Sequence, residues 1–324
     1  MAHASSQKNP NTPGVIPQTS SDQEKIDSID LKLAHRAAKS DCTLLITGQT
    51  GVGKGRLAKW IHRHSRRRKG MFIPINCGAI PEHIIDSQLF GHVKGAFSGA
   101  TSDHIGLVRA AENGTLFLDE ISELPPSAQT RLLRLLQERE VQPVGQAKPV
   151  IVDVRVLAAA NTDLHQAVRD KTFREDLLYR LDVIHLEVKP LRDRVDEIAS
   201  LIAEFNEEFA ELYAQPPLTI EENAFALLLA YHWPGNIRQL RTVIERLHVL
   251  APESPVSVRT LVTTGQLRDL TTSPALHSLE EVKREELNRV LAASGGSITK
   301  AASKFGVHRS TIYRWLNTEP DLPQ

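Results

Sequence analysis

Cysteine is scarce in this sequence, and its positions argue against a disulfide framework. The 324 residues contain two cysteines, Cys42 and Cys77, and both lie in apolar, strand-like runs. Such positions predict buried, reduced thiols rather than a disulfide or a metal site.

Long hydrophobic runs are also missing. No apolar stretch approaches the ~20 residues that a transmembrane helix needs, and no signal peptide opens the chain. These absences predict a cytoplasmic protein without a membrane partner.

The chain has no net charge, because 39 Lys and Arg residues balance 39 Asp and Glu residues. A nucleic-acid partner would therefore have to bind a local basic surface. Apolar residues at 41% and charged residues at 24% suit a soluble protein, and the length allows two or three domains.

A glycine-rich loop is the most informative stretch that is present. It lies between the apolar run 42–47 and the helical pattern 56–61, which begins at Arg56. Glycines let backbone N–H groups approach phosphate oxygens, and the following helix N-terminus adds partial positive charge. The G-x-x-x-x-G-K pattern predicts nucleotide binding, with Lys54 at the β- and γ-phosphates. An ordinary glycine turn is the alternative. The candidate nucleotide contacts are the loop itself, Gly48-Gln49-Thr50-Gly51-Val52-Gly53-Lys54-Gly55, and Arg56 after it.

Mg²⁺ binding and hydrolysis need further side chains. The pattern has Ser or Thr after the lysine to hold Mg²⁺, and Gly55 offers no such ligand. A later apolar strand ends in Asp119 and Glu120. We expect Asp119 to hold Mg²⁺ through water and Glu120 to orient and deprotonate the attacking water. A plain turn is the alternative for this carboxylate pair.

Strand and helix patterns alternate between residues 42 and 189. This alternation predicts a parallel sheet covered by helices on both faces, with ligands at the carboxyl ends of the strands. The glycine loop, Asp119 and Asn161 all follow strands, so we expect them to converge. The strand-like runs are Cys42–Thr47, Met71–Asn76, Thr115–Asp119, Val152–Ala159 and Val183–Val188.

Composition divides the chain into five segments. Polar, small residues predict a disordered arm at 1–22, and a helix is predicted to begin near its end, around Ser21. Continuous helical periodicity follows the α/β part, and Asn236 is placed to cap one of its helices. The segments are the arm at 1–22, an α/β ATPase subdomain at 23–189, a helical lid at 190–252, a linker at 253–275 and a helix-turn-helix domain at 276–324.

The C-terminal segment has a helix, a glycine-containing turn and a second helix, which is the helix-turn-helix pattern. From Arg289 to Thr318 it contains five Lys or Arg residues and no acidic residue, which suits a phosphate backbone. A three-helix packing unit with a solvated basic face is the alternative. The candidate DNA contacts are Lys300, His308, Arg309, Ser310, Thr311, Tyr313 and Arg314.

A second basic run, His62–Lys69, ends the helix after the glycine loop. Cations suit a helix C-terminus, so a solvated helix end is the favoured interpretation. A DNA or polymerase contact is the other.

The run Leu89–Ala100 resembles the signature loop of the sigma-54-dependent transcriptional activators. These are bacterial AAA+ ATPases that remodel RNA polymerase carrying the enhancer-dependent sigma factor. The family loop reads G-A-F-T-G-A, and Ser98 replaces its Thr; Val93 stands where Glu is usual. The resemblance implies a sigma-54 contact centred on an exposed Phe97, whereas the residues alone favour a β-turn with a tucked Phe. The implied contact residues are Gly95, Ala96, Phe97, Ser98, Gly99 and Ala100.

The same resemblance implies roles for single residues. Asn76 would restrain the catalytic Glu120, and Asn161 would sense the γ-phosphate, although Ala160 replaces the usual Thr before it. Arg174 and Arg180 would project into the ATP site of a neighbouring subunit, and Arg238 would reach the nucleotide from the lid. Strand-end turns and salt-bridged helix residues are the alternatives.

The resemblance therefore implies an AAA+ P-loop domain with a helical lid and a Fis-type helix-turn-helix domain. Its partners would be sigma-54 RNA polymerase, upstream enhancer DNA and further copies in a ring, commonly a hexamer. With no receiver domain expected before the ATPase, the chain is similar to the phage-shock type of activator, and a separate regulatory protein or simple abundance would control it. The rival hypotheses are an AAA+ remodeller of another protein and a DNA-binding regulator with a weak ATPase.

Overall fold

The computed structural model describes residues 31–251, residues 255–264 and Ile298. The predicted arm, the helix start near Ser21 and, apart from Ile298, the predicted helix-turn-helix domain lie outside the described residues. Within the described part the strands are β1 Leu44–Thr47, β2 Phe72–Asn76, β3 Thr115–Asp119, β4 Glu140–Val141, β5 Val150–Ile151, β6 Arg155–Ala160 and β7 Ile184–Glu187. The α-helices are α1 Leu31–Lys39, α2 Lys54–Arg63, α3 Glu82–Phe90, α4 Leu107–Ala110, α5 Pro126–Glu138, α6 Leu164–Arg169, α7 Glu175–Leu181, α8 Val195–Leu212, α9 Glu222–Ala230, α10 Asn236–Leu250 and α11 Val258–Thr263.

Five strands form one sheet in the order β2-β3-β6-β1-β7, and every neighbouring pair in it is parallel. The predicted parallel α/β sheet is thereby confirmed. In register, Asn76 lies beside Asp119, and Thr47 lies between Ala160 and Glu187. The carboxyl ends of all five strands therefore meet at one edge, where the sequence placed the site.

Helices cover both faces of this sheet. Alternate strand residues point to opposite faces, so Leu45 and Leu116 join a core with α3, α5 and α7. Leu44 and Ile46 join a second core with α1 and α2 on the other face. All residues of β6 are buried, as in a strand covered on both sides.

The predicted strand bounds agree within two residues except at the fourth run. There the strand begins at Arg155 rather than Val152, because residues 152–154 connect β6 to β5, which pairs antiparallel with β4. This two-stranded hairpin was not predicted, since two-residue strands are too short to show an apolar alternation.

Arg155 is a buried arginine that the sequence analysis did not single out. Its guanidinium donates to Ala37 O at 2.7 Å and Ala38 O at 3.1 Å, at the C-terminal end of α1. Burial lowers its pKa from the ordinary arginine value. The side chain therefore ties α1 to the centre of the sheet.

The lid contains α8, α9, α10 and α11 around a core of its own. The helical periodicity predicted after the α/β part is confirmed. In α8 the apolar residues at helical spacing are all buried: Ile198, Leu201, Ile202 and Phe205. Part of the segment 253–275, which was predicted to be a linker, is packed against the lid instead. Val256 and Leu261 are fully buried in the lid core, so residues 255–264 are packed lid structure.

Both cysteines are free thiols, and the prediction that they are buried is correct for Cys77 but not for Cys42. Cys77 is buried in a 3-10 turn after β2, and burial raises the pKa of its thiol to about 12. Cys42 is half-buried and precedes β1, with Sγ 2.8 Å from Ser40 Oγ. It lies in the connection between α1 and the sheet rather than in the strand.

Among the described helices, none is long and apolar enough to cross a membrane.

Candidate nucleotide site

The glycine loop, Gly48–Gly55, turns from β1 into α2 with φ of 147° at Gly48, 79° at Gly51 and 102° at Gly53. Its first two glycines also face backbone closely. A Cβ at Gly48 would lie 2.5 Å from Val188 O, and one at Gly51 would lie 2.4 Å from Gly235 O. The positive φ values and these contacts both require glycine.

Lys54 is buried where the loop enters α2. Its Nζ donates to Gly48 O at 2.8 Å and Gln49 O at 3.1 Å. Burial lowers the pKa of Lys54, and the charges of Asp119 and Glu120 oppose that shift. The lysine and the two carboxylates therefore share one electrostatic environment, as the strand-end argument predicted.

Asp119 and Glu120 lie where β3 ends, and they differ in backbone conformation. Asp119 Oδ1 accepts the Glu120 N–H at 3.0 Å, and burial raises the pKa of Asp119 while Lys54 opposes the shift. Glu120 has a left-handed backbone, with φ 55° and ψ 48°. This conformation costs energy for a non-glycine residue and is common where geometry serves a site.

Gly78 is a site residue that the sequence analysis missed. A Cβ there would lie 2.9 Å from Glu120 Oε2 and 3.5 Å from Asn76 Oδ1. Asn76 Oδ1 accepts the Ala79 N–H at 3.0 Å, so the amide is already fixed by the turn after β2. The glycine leaves room for the carboxylate beside that amide.

Asn161 follows β6 and lies across from the glycine loop. Its Nδ2 donates to Thr50 Oγ1 at 3.4 Å, and the side chain is exposed. Ala160, the residue before it, is fully buried beside Thr47 of β1. The hydroxyl at Thr50 thus links the loop to the residue predicted to sense the γ-phosphate.

The lid contacts the outer side of the glycine loop through three consecutive carbonyls, and we call these hydrogen bonds the lid–loop contacts. Asn236 does not cap α10, which has no side-chain cap; it has φ 51° and reaches across to the loop. The lid–loop contacts are Asn236 Nδ2 to Thr50 O at 3.0 Å, Arg238 N–H to Gly51 O at 3.3 Å and Arg194 Nη2 to Val52 O at 2.8 Å.

Arg238 and Arg56, the two arginines predicted to bind nucleotide, differ in their surroundings. Arg238 is exposed in the first turn of α10, and its Cβ lies 3.2 Å from where a Cβ at Gly51 would be, so it is next to the glycine loop. Arg56 instead donates to Glu204 of the lid at 3.2 Å. Arg56 therefore joins α2 to α8, and its hydrogen bonds do not involve the glycine loop.

Hollows lie on both sides of the glycine loop. One of about 620 Å³ is lined by Thr47, Gly48, Gln49, Asn161 and residues up to Asp193. In its wall, Thr47 Oγ1 lies 2.7 Å from His185 Nε2. A second hollow of about 350 Å³ lies on the lid side and is lined by Thr50, Pro234, Gly235, Arg238, Gln239 and Thr242.

The residues predicted as arginine fingers lie away from this site. Arg174 is exposed and pairs with Asp176, with Nη2 to Oδ2 at 2.7 Å, which is the salt-bridged alternative. Arg180 is exposed on α7. Its neighbours Tyr179 and Val183 are also exposed, at 70% and 57%. Neither arginine hydrogen-bonds to the glycine loop of its own chain within the described residues.

The Phe97 loop, Gly95–Ala100, projects beyond a short bridge between His92 and His104. Phe97 is 44% exposed, and its ring lies 5.0 Å from that of His92. Both glycines have positive φ and open space around them. The phenylalanine is therefore partly presented to solvent rather than tucked into a turn.

The β4–β5 hairpin supports the base of this loop. Val93 N–H donates to Val144 O at 3.1 Å, and a Cβ at Gly145 would lie 2.7 Å from the Ala96 Cβ. Lys94 N–H donates to Asp103 Oδ1 at 2.7 Å. Hence the base is held on two sides while the tip, Phe97 and Ser98, is exposed.

The donor set fits a magnesium ion shared with a nucleotide. Among the described residues, no group of three His, Cys, Asp or Glu side chains could hold a metal by itself. Mg²⁺ commonly takes one or two carboxylates and completes its shell with water and phosphate oxygens. Asp119, half-buried beside Lys54, is such a carboxylate.

Comparison with known proteins agrees with this geometry. Residues 21–187 match the family model of the sigma-54 interaction domain, residues 192–276 that of the AAA+ ATPase lid domain and residues 290–318 that of a helix-turn-helix domain. The last match covers the predicted DNA contacts, which lie outside the described residues.

Similar full-length proteins are transcriptional regulators. The alginate biosynthesis transcriptional regulatory protein AlgB of Pseudomonas syringae pv. tomato is 42% identical over 285 residues, covering 88% of this chain and 63% of AlgB. The regulatory protein AtoC of Escherichia coli K12 is 42% identical over 290 residues, covering 86% and 62%. The chain thus spans about three fifths of the length of these relatives.

A solved structure supports the same assignment. NtrX from Brucella abortus in complex with ADP superposes with a TM-score of 0.68 at 31% identity, covering 88% of this chain and 66% of NtrX. With a parallel sheet, a phosphate-loop geometry, a lid and a matched helix-turn-helix segment, this chain belongs to the sigma-54-dependent transcriptional activators, a family of AAA+ proteins.

Proposed function

We propose that this chain is an ATP-driven activator of sigma-54 RNA polymerase. It binds upstream enhancer DNA, assembles into a ring, commonly a hexamer, and hydrolyses ATP between subunits to open the promoter. The observation that carries the proposal is the convergence of Lys54, Asp119 and Glu120 beside the glycine loop, with Asn76 and Asn161 on the flanking strands.

ATP hydrolysis is mainly a matter of position and charge in this site. The Lys54 ammonium lies where it can leave the loop carbonyls for the β- and γ-phosphate oxygens. The Glu120 carboxylate accepts a proton from the attacking water and aligns it with the γ-phosphorus. Asn76 holds that carboxylate on the Gly78 side until the γ-phosphate, sensed by Asn161, is in place.

Asp119 is the residue that would hold Mg²⁺, through water. When bound, the ion would supply positive charge that stabilises the charge developing on the phosphate oxygens. Gly55 supplies no hydroxyl ligand, so the phosphates and water would complete the coordination.

Assembly would complete the site. Arg174 is exposed at the N-cap of α7 and Arg180 is exposed on the helix, near the exposed Tyr179 and Val183. A second copy packed head to tail against this surface would receive an arginine in its own ATP site, and repetition of that contact closes a ring. An arginine supplied in trans stabilises charge on the transferring phosphoryl group.

The exposed Phe97 would be the part that contacts sigma-54. Its loop is held at the base by the β4–β5 hairpin and has open space at Gly95 and Gly99, so its tip can move without breaking the base. The DNA contacts proposed at 276–324 and control by a separate protein rest on the sequence alone.

Glu120→Gln tests the chemical step. We expect ATP turnover to fall at least about 100-fold, because the amide cannot take the proton from water. ATP affinity should stay within about threefold, since the amide is isosteric. If this variant kept normal ATP turnover, a group other than Glu120 would be the general base. Absence of turnover in the unaltered protein, despite ATP binding, would favour the DNA-binding regulator with a weak ATPase.

A further inference from the structure

The hydrogen-bond partners of the glycine-loop carbonyls divide into two sets. Five consecutive carbonyl oxygens, from Gly48 to Val52, accept hydrogen bonds. The first two accept from Lys54 Nζ, a donor that phosphate oxygens would also attract. The other three accept the lid–loop contacts, whose donors all belong to the lid.

These contacts bear on the phosphate side of the loop because a trans peptide group points its C=O and N–H in opposite directions. The plane that carries Thr50 O also carries the Gly51 N–H, and the plane that carries Val52 O carries the Gly53 N–H. Fixing those two carbonyls on the lid therefore directs the Gly51 and Gly53 N–H groups away from it.

The two side chains that make these contacts are buried and have further partners. Asn236 is fully buried, and its Oδ1 accepts the Leu191 N–H at 2.8 Å, where the lid begins. Arg194 is buried with Glu197, with Nη1 to Oε2 at 3.0 Å. The hydrogen bond to Val52 O is buried and the one to Thr50 O is partly buried, so losing either donor removes a hydrogen bond that water replaces incompletely. Both contacts therefore oppose separation of lid and loop.

We propose that Asn236 and Arg194 are positioning residues that make phosphate binding and lid position depend on each other. They hold the glycine loop by its carbonyl side, which is distinct from a direct contact between the Arg238 guanidinium and a nucleotide. The inference rests on the proposed ATP site. It adds that displacement of the lid removes the support of the phosphate-binding N–H groups and weakens ADP and ATP binding alike.

Asn236→Asp separates the hydrogen bond that this side chain accepts from those that it donates. Aspartate still accepts the Leu191 N–H and tolerates the left-handed φ of 51°. It cannot donate to Thr50 O, now at 3.0 Å, or to Gln49 Oε1, now at 3.4 Å, so only the hydrogen bonds to the glycine loop are lost. We expect the Kd for ADP to rise about tenfold.

Asn236→Asp also adds a negative charge, which could weaken ADP binding by itself. A second variant tests the hydrogen bonds without that added charge. The pair Arg194→Met and Glu197→Gln deletes the donor to Val52 O, leaves no unpaired carboxylate and keeps the net charge of the site. We expect a similar loss of ADP affinity, again about tenfold. This variant also serves if Asn236→Asp does not fold.

The matched control is Asn206→Ala. Asn206 is a half-buried lid asparagine whose side chain bonds the Leu218 backbone and His248, with no contact to the glycine loop. The loss of these hydrogen bonds should lower the melting temperature about as much as the two test variants do. It should leave the Kd for ADP unchanged.

The decisive measurement is ADP titration combined with hydrogen exchange of α10 in the full-length protein. In the unaltered protein, ADP should slow hydrogen exchange in α10. In both test variants, saturating ADP should still slow exchange in the glycine loop. In those variants, exchange in α10 should be as fast with ADP as without it. Unchanged ADP affinity and full α10 protection in the test variants would overturn the inference while leaving the ATP site intact. If the unaltered protein binds no ADP, the proposed function itself is contradicted, and the inference with it.

Discussion

Residue 55 is a glycine where the phosphate-binding pattern has a hydroxyl, and the space beside it is open. A Cβ at Gly55 would meet only Phe117 Cε1, at 3.8 Å, which is ordinary van der Waals contact. Gly55 therefore differs from Gly48 and Gly51, where backbone oxygens occupy the position of a side chain. The fold tolerates a side chain there, although the natural sequence has none.

Gly55→Thr should lower the Mg²⁺ concentration needed for half-maximal ATP turnover, by about three- to tenfold, because it restores a hydroxyl ligand. The measurement is turnover against free Mg²⁺ at saturating ATP. Gly55→Ala is the matched control. It should stabilise α2 by up to about 1 kcal/mol without moving the Mg²⁺ dependence. Equal Mg²⁺ curves for the Thr and Ala variants would show that position 55 lies outside the magnesium shell.

Single residues also mark the limit of what the sequence could predict. Lys54, Asp119 and Asn161 were predictable because each follows a strand, and parallel strands bring their carboxyl ends together. Asn236 was misinterpreted as a helix cap, since its partner Thr50 is far away in sequence and its left-handed backbone leaves no local pattern. Gly78 was missed because its importance depends on where Glu120 turns.

Among the elements, α10 contains a buried histidine. His248 Nε2 lies 2.9 Å from Asn206 Oδ1, and its Nδ1 is buried without a hydrogen-bond partner among the described residues. Burial lowers the pKa of His248, and burial likewise lowers that of His62 in α2. Both side chains are therefore more readily protonated in the unfolded chain than in the folded one.

The sign of the pH dependence follows from that difference. Above the ordinary histidine pKa of about 6.5 the two states bind the same number of protons at these sites. Below it the unfolded state binds more, so the free energy of unfolding falls as the pH drops. His248→Gln should cost about 1 kcal/mol at pH 7.5 and reduce the loss of stability between pH 7.5 and 5.5.

Urea unfolding at both pH values measures this effect. His83→Gln, at an exposed position of α3, is the control and should leave the pH dependence as it is. A His248→Gln protein that loses as much stability on acidification as the unaltered protein would contradict the assignment.

Elements differed in how well the sequence predicted them. The sheet strands were predictable because they are apolar runs buried on both faces, and the lid face because its residues repeat at helical spacing. The β4–β5 hairpin and α11 were missed. The hairpin strands have two residues each, and α11 lies among Pro, Thr and Ser residues that predict a linker, although Leu261 packs in the lid core.

For the whole molecule, assembly determines whether the ATP site is complete. If Arg180 acts in a neighbouring site, Arg180→Ala should lower turnover at least about 100-fold, and Lys54→Ala should abolish ATP binding in its own subunit. A one-to-one mixture should recover about a quarter of normal turnover, because about a quarter of randomly formed interfaces join an intact site to an intact arginine.

Sedimentation of the mixture establishes that the subunits assemble together. Mixed assemblies without recovered turnover would show that Arg180 acts within its own chain, or on the fold, rather than across an interface. Arg169→Ala, at an exposed arginine of α6, is the control and should retain normal turnover.

Promoter opening tests the whole mechanism most directly. The protein would be mixed with sigma-54 RNA polymerase, a sigma-54-type promoter carrying upstream sites, and either ATP or a non-hydrolysable analogue, and open complexes would be counted. We predict opening with ATP only, and its loss in Phe97→Ala at unchanged ATP turnover, because Phe97 is the exposed contact and lies outside the nucleotide site. Normal ATP turnover without any opening, or opening that persists in Phe97→Ala, would contradict the proposal that this loop transmits hydrolysis to sigma-54.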